Sequence, residues 1–279
     1  MKDHVSPSQI STFKTCPTLW KYTALEGRRL PPSGAAHRGS SFHKATEAHN
    51  RLKVIDRVGL AADAIEDAFT QAWRNVPESD VSWDDERPNA IYDGGAKMAR
   101  LYAATSALEI QPTHVEQEVL IPAVGDGVPV LCRLDLVDEQ GRVIDFKTTG
   151  KAPGSDDAHN SDQLTAYAGA HTVKFGHLPS ALALDFFVAP SKTRPTGLRA
   201  FQPTKRDELQ VAAWRSDVAA VTSQMRHAEQ TGMFPFAPSD SWKCSDKWCG
   251  FFNLCPGGAA RRTTFAVPSW MSEPAAAGE

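Results

Sequence analysis

Three ionisable side chains in one short stretch mark where this sequence could do chemistry. Asp135, Asp145 and Lys147 lie in the segment RLDLVDEQGRVIDFK, residues 133–147. On a strand, Asp145 and Lys147 share one face while Ile144 and Phe146 point to the other. Leu134 and Leu136 likewise oppose Asp135 on the strand before it. Whether the two aspartates meet depends on the loop between the strands. A three-residue loop, Glu139-Gln140-Gly141, ends on a glycine suited to left-handed backbone. It pairs Asp138 with Arg142 and hence Asp135 with Asp145. A two- or four-residue loop would send the carboxylates to opposite faces. The odd register is the expected one. Two carboxylates so close repel each other unless a cation holds them. Mg²⁺ or Mn²⁺ takes oxygen ligands and presents water for attack on a phosphate. Lys147 would orient or activate that water and stabilise charge on the phosphate. The competing reading is an exposed cross-strand charge cluster, which a lone D-x-K triplet usually is. The apolar opposite face raises the case for a site.

Helices must bring the remaining groups. His43 and Glu47 are four apart and share a helix face, so His43 could add a metal ligand with Glu47 in support. A capped helix with a solvated histidine is the plainer alternative. Gln163 and Tyr167 also share a helix face and could hold a DNA phosphate or the catalytic carboxylates. Either Glu116 or Glu118, on the preceding strand, is a candidate accessory acid, and the sequence does not choose between them.

Cys244, Cys249 and Cys255 fall within 12 residues of a tail rich in Trp and Phe, and Cys16 stands far upstream. Four thiolates select zinc or an iron–sulfur cluster, and the paired C-x2-C spacing usual for zinc is missing. Free buried thiols are the alternative. Cys132 reads as a buried apolar residue on the inward strand face.

Around these groups the chain of 279 residues has ordinary globular composition, with 41% hydrophobic and 23% charged residues. The net charge of −3 gives no global basic signature for a nucleic-acid partner. Lys192, Arg194, Arg199, Lys205 and Arg206 cluster in sequence, as do Arg261 and Arg262, and read as ordinary solvated charges. No apolar run is long enough to span a membrane, and the start lacks a signal-peptide stretch. A cytoplasmic protein is expected, in which a disulfide framework is not. The spacing predicts helices over 8–23, 39–54 (capped by Ser40 or Ser41), 58–75, 90–109, 161–175 and 205–231. Strands are predicted over 115–122, 128–137, 142–148, 181–189 and 198–203. The stretch after Pro235 reads as irregular, and residues 266–279 as a disordered tail. The order implies an α/β or α+β fold with a mixed sheet flanked by helices.

Together these pieces resemble the RecB-like branch of the PD-(D/E)XK nucleases, in particular the iron–sulfur exonucleases of CRISPR adaptation, their phage relatives and the AddB-type nuclease domain. The resemblance covers nearly the whole chain. The segment from Ser6 to Pro17 is similar to the family's opening, with Cys16 as first cluster ligand. Gly39-x3-His43 resembles its metal-binding histidine motif, and Asp135 its first acid. Asp145-Phe146-Lys147 resembles the (D/E)XK element, and Gln163-x3-Tyr167 the Q-x3-Y motif. Cys244, Cys249 and Cys255 match the closing cluster ligands. Cys132 stands where the family often has glycine, and no proline precedes Asp135, which leaves the catalytic groups intact.

The resemblance implies a restriction-endonuclease-like core, with residues 1–265 forming one nuclease domain. It implies a Mg²⁺- or Mn²⁺-dependent DNA exonuclease, acting at single-stranded ends in recombination, repair or CRISPR adaptation. His43, Asp135, Asp145 and the Phe146 carbonyl would be the metal ligands. Lys147 would position water, and Gln163 and Tyr167 would position the substrate or the acids. A structural [4Fe–4S] cluster would join the N- and C-terminal segments. The rival classes are a catalytically silent iron–sulfur DNA-binding accessory protein, an electron-transfer protein, and a zinc site in the same cysteines.

Overall fold

A computed structural model describes residues 3–83 and 86–262. The expectation for residues 266–279 lies outside them. The chain divides into two compact units, one of Met1–Ile10 and Pro31–Arg226, the other of Ser11–Leu30 and His227–Glu279. Among the described residues, no helix is long and apolar enough to cross a membrane.

The first unit is built on a five-stranded mixed sheet in the order β1 (Pro112–Ile121), β2 (Val130–Asp138), β3 (Arg142–Thr149), β4 (Ala181–Val188), β5 (Leu198–Thr204). All neighbours are antiparallel except β3 and β4, which run parallel. A parallel pair needs a crossover, and helix α7 (Asp162–Phe175) lies in it. Ser161 caps α7 by accepting from the Leu164 N–H, and Gly176 at φ 83° ends it.

The central strands are apolar on one face. Leu136, Ile144, Phe146, Ala183 and Phe187 pack with Phe42 and Ala45 of α3 (Gly34–Asp56), Phe69 of α4 (Ala62–Arg74) and Tyr102 of α5 (Pro88–Ala104). Burying each large side chain contributes about 1.5–3 kcal/mol. Helix α3 begins at Gly34, earlier than residue 39, because Ser33 supplies the cap and accepts from the Ala36 N–H at 3.2 Å. Ser40 and Ser41 are therefore not caps. Ser41 lies inside the helix and donates to the His37 carbonyl. Gly39 is also interior, and a Cβ there would meet Thr148 Oγ1 at 3.1 Å. Its missing side chain lets α3 approach β3 closely.

Two arginines expected in solvent are structural. Arg199 bonds the fully buried Asp185 at 2.9 Å and Glu109 at 2.6 Å. Arg206, also buried, donates to the carbonyls of Ala158, His159 and Ser161 ahead of α7. Both sit where a buried charge is tolerable because it is paired and hydrogen-bonded.

The second unit holds the segments that carry Cys16, Cys244, Cys249 and Cys255. The helix expected over 8–23 breaks at Cys16, because Pro17 lacks an N–H. Helix α1 (Pro7–Thr15) ends there, and Cys16 turns extended to cap the short α2 (Pro17–Trp20), its sulfur accepting from the Leu19 N–H at 3.4 Å. A π-helical turn over Lys21–Leu25 follows. The second unit also contains the end of α8 (Glu208–Thr231) and a short helix α9 (Pro256–Arg262), the latter in a tail expected to be irregular. Thr18 ties the two segments of this unit together by donating to the carbonyls of Phe234 and Pro235.

Candidate active site

The β2–β3 turn sets the site's register. Leu136 pairs with Ile144 and Val137 with Val143, which places Asp138 opposite Arg142 and Asp135 opposite Asp145. Gly141 takes the left-handed conformation at φ 70°. The buried Asp138 carboxylate fixes the loop by accepting from the N–H groups of Gln140 (3.0 Å) and Arg142 (2.9 Å) and from Arg142 Nε (2.7 Å). Paired residues extend only to Leu136 and Ile144. Beyond them Asp135 Oδ2 accepts from the Phe146 N–H at 3.2 Å. A side chain thus replaces the backbone partner where the strands part.

Asp145, Lys147, Gln163 and Tyr167 close a ring. Lys147 Nζ lies 2.7 Å from Asp145 Oδ2 and donates to Gln163 Oε1 at 2.7 Å. Gln163 Nε2 donates to the Tyr167 hydroxyl at 2.8 Å, which donates to Asp145 Oδ1 at 3.3 Å. The helical i, i+4 spacing puts Gln163 and Tyr167 on one face, and β3's alternation puts Asp145 and Lys147 opposite them. Burial, followed by the charges of Asp145 and Asp135, pushes the Tyr167 hydroxyl well above its ordinary pKa. It stays a neutral donor.

His43 enters from α3. Its Nδ1 is 3.4 Å from Asp135 Oδ2. Burial lowers its pKa, with Asp145 opposing, so at neutral pH it is an unprotonated imidazole able to bind a metal. Of the candidate accessory acids, Glu116 is the one at the site. A Glu116 oxygen, a His43 nitrogen and an Asp135 oxygen all lie within 4.8 Å of one another. Glu118 instead bonds Arg133 at 2.7 Å, and Glu47 is held by Lys44 and Arg51, both at 2.8 Å. The signal in sequence was weak, because Glu116 and Glu118 share one face of β1, and only the pairing with β2 sets Glu116 opposite Asp135 and Glu118 opposite Arg133. Glu116 also sits in left-handed backbone at φ 50°, which costs a non-glycine residue about 1–2 kcal/mol.

The electrostatics suit a divalent cation. Burial, then the neighbouring Asp145 carboxylate, hold Asp135 well above the ordinary carboxylate range, and Lys147 only partly offsets them. Asp145 is buried, and its Oδ2, though ion-paired with Lys147, has no aligned hydrogen-bond donor. Oxygen-rich ligands with one imidazole match the chemistry of Mg²⁺ or Mn²⁺.

In the second unit, Cys16, Cys244, Cys249 and Cys255 line one narrow cavity, with Tyr22, Phe236, Phe251 and Phe252 around them. Cys132 is elsewhere, buried in the sheet unit, where burial pushes its thiol up to about 12.

A five-stranded mixed sheet with acids and a lysine at a parting of two central strands defines a nuclease of the restriction-endonuclease-like fold. The chain belongs to the PD-(D/E)XK nuclease superfamily, whose family model matches residues 4–256. It is a hydrolytic nuclease, of a superfamily that generally uses divalent metals. It is 27% identical to the Gene 69 protein of Mycobacterium phage D29, over 90% of this chain and 96% of that one. Its fold is similar to the crystal structure of a protein from Eubacterium rectale described as a "putative exonuclease", with a TM-score of 0.55 and 12% identity over 87% of each chain.

Proposed function

We propose that this protein is a Mg²⁺- or Mn²⁺-dependent deoxyribonuclease that degrades DNA from single-stranded ends. The observation carrying this reading is the closed ring of Asp145, Lys147, Gln163 and Tyr167 beside the His43–Asp135 pair. His43, Asp135, Asp145 and the Phe146 carbonyl are the proposed metal ligands. The cation would act as a Lewis acid on the phosphate and lower the pKa of water. Lys147 positions the attacking water and stabilises charge building on the phosphate oxygens. Gln163 fixes the Lys147 ammonium, and Tyr167 fixes Asp145, so both are positioning residues. The end-directed part draws on the description of the E. rectale neighbour as an exonuclease.

The four cysteines are proposed to hold a [4Fe–4S] cluster with a structural role. The support for this reading is that Cys16, Cys244, Cys249 and Cys255 line one cavity. Aromatic side chains around the cavity would keep water from it. Residues 1–265 are read as one nuclease domain that includes this region.

The test is degradation of end-labelled DNA by anaerobically prepared protein, with Mg²⁺ and with Mn²⁺, beside Asp145→Ala and Lys147→Ala. Label released as short products in a metal-dependent way, and lost in both variants, supports the reading and gives the polarity. Internal cleavage of circular DNA at equal rate would remove the end-directed part. No cleavage by the wild type would remove the enzyme.

A further inference from the structure

We infer that Glu116 supplies a further carboxylate ligand to the divalent-cation site of His43, Asp135 and Asp145. This rests on the metal-dependent reading above. Glu116 comes from β1, whereas the other ligands come from α3, β2 and β3. Pairing of Val115 with Leu136 and of Gln117 with Leu134 puts Glu116 opposite Asp135. Its oxygen joins the His43 nitrogen and the Asp135 oxygen within 4.8 Å, and no other three His, Cys, Asp or Glu side chains among the described residues come so close together.

The charge balance points the same way. Asp145 is buried to 1% exposure, and its Oδ2 already meets the Lys147 ammonium at 2.7 Å. Three carboxylates and one ammonium leave excess negative charge, which a hard divalent ion would neutralise.

The rival explanation is an ion pair with Arg133. Arg133 Nε stands 3.7 Å from Glu116, but its guanidinium is 60% exposed and bonds Glu118 at 2.7 Å. An exposed, long contact of that kind contributes little. It does not account for a glutamate, 18% exposed, in left-handed backbone. Local strain of this kind persists where surrounding structure over-determines it, typically at functional sites.

The decisive experiment measures Mn²⁺ binding by the EPR signal of free Mn²⁺, for the wild type, Glu116→Gln, Glu118→Gln and Asp135→Asn. Melting temperature is recorded for each without metal. Glu116→Gln is expected to bind at least about tenfold more weakly, as loss of a metal-supporting group typically does, and Glu118→Gln is expected to match the wild type. Glu116→Gly is the second variant. It relieves the backbone strain and removes a repelling charge, so it should melt higher without metal while still binding Mn²⁺ weakly. Wild-type affinity in both Glu116 variants, with Asp135→Asn impaired, would overturn the assignment and leave the nuclease reading standing. Failure of the wild type itself to bind Mn²⁺ would overturn both.

Discussion

Lys147 Nζ is 2.7 Å from Gln163 Oε1 and 2.7 Å from Asp145 Oδ2, so one helix amide shares the ammonium with a strand carboxylate. A lysine side chain has four rotatable bonds, and this amide limits them. Gln163→Ala should therefore slow cleavage by about ten- to a hundredfold, the range for supporting residues of a metal site, with KM and melting temperature little changed. Lys147→Ala should cost more, about 10²–10⁴ in kcat. Single-turnover rates at saturating metal check both.

Asp138 should be the main stability determinant of the hairpin. It is buried and accepts from two backbone N–H groups and a guanidinium. Asp138→Ala strands those donors and should cost about 3 kcal/mol, since hydrogen bonds to charged groups contribute ~1.5–3 kcal/mol each and are not additive. It should also lower activity, because a register slip would separate Asp135 from Asp145. Denaturant unfolding and cleavage rates measure the two effects.

Three buried histidines predict how stability responds to acid. Burial lowers the pKa of His37, His49 and His171 in the folded protein. The unfolded chain then binds more protons as pH drops through about 6.5, and stability falls. Melting temperature should decline from pH 7.5 to 5.5. Replacing His171 with Gln should flatten the decline, and an unchanged slope would count against it.

The cysteines should divide by site. On the iron–sulfur reading proposed above, Cys16→Ser and Cys249→Ser should each abolish visible absorption and lower the melting temperature, because cluster binding is coupled to folding. Cys132→Ser should leave the absorption intact. The Cys132 thiol, pushed up to about 12 by burial, should resist alkylation at pH 8 in the native protein, because the thiolate is the reactive form.

Most of the fold was legible because local rules and the global structure agree. Alternation marked β2 and β3, a short apolar run marked β4 as a buried strand, and Gly141 at the end of a three-residue loop marked the turn whose register joins Asp135 to Asp145. The i, i+4 spacing of Gln163 and Tyr167 put both hydroxyl and amide on the side of Asp145. Where the sequence misled, tertiary context had overruled local signals. Gly39 looked like a helix start, but it is a close-approach point against Thr148, and Ser33 is the cap. Arg199 and Arg206 looked like surface charges, because nothing in sequence shows the buried Asp185 or the carbonyls before α7 that receive them. Glu116 was undecided against Glu118 because both lie on one face of β1, and only the pairing with β2 sets Glu116 opposite Asp135 and Glu118 opposite Arg133.

The most direct test of the central claim is single-turnover hydrolysis of a radiolabelled single-stranded oligonucleotide by protein stripped of divalent cations, then supplied with Mn²⁺. Cleavage should appear only with Mn²⁺, vanish in Asp145→Ala, and fall by about 10²–10⁴ in Lys147→Ala although that variant still binds the oligonucleotide. Cleavage that persists in Asp145→Ala, or proceeds without metal, would contradict the assignment of this site as the catalytic centre.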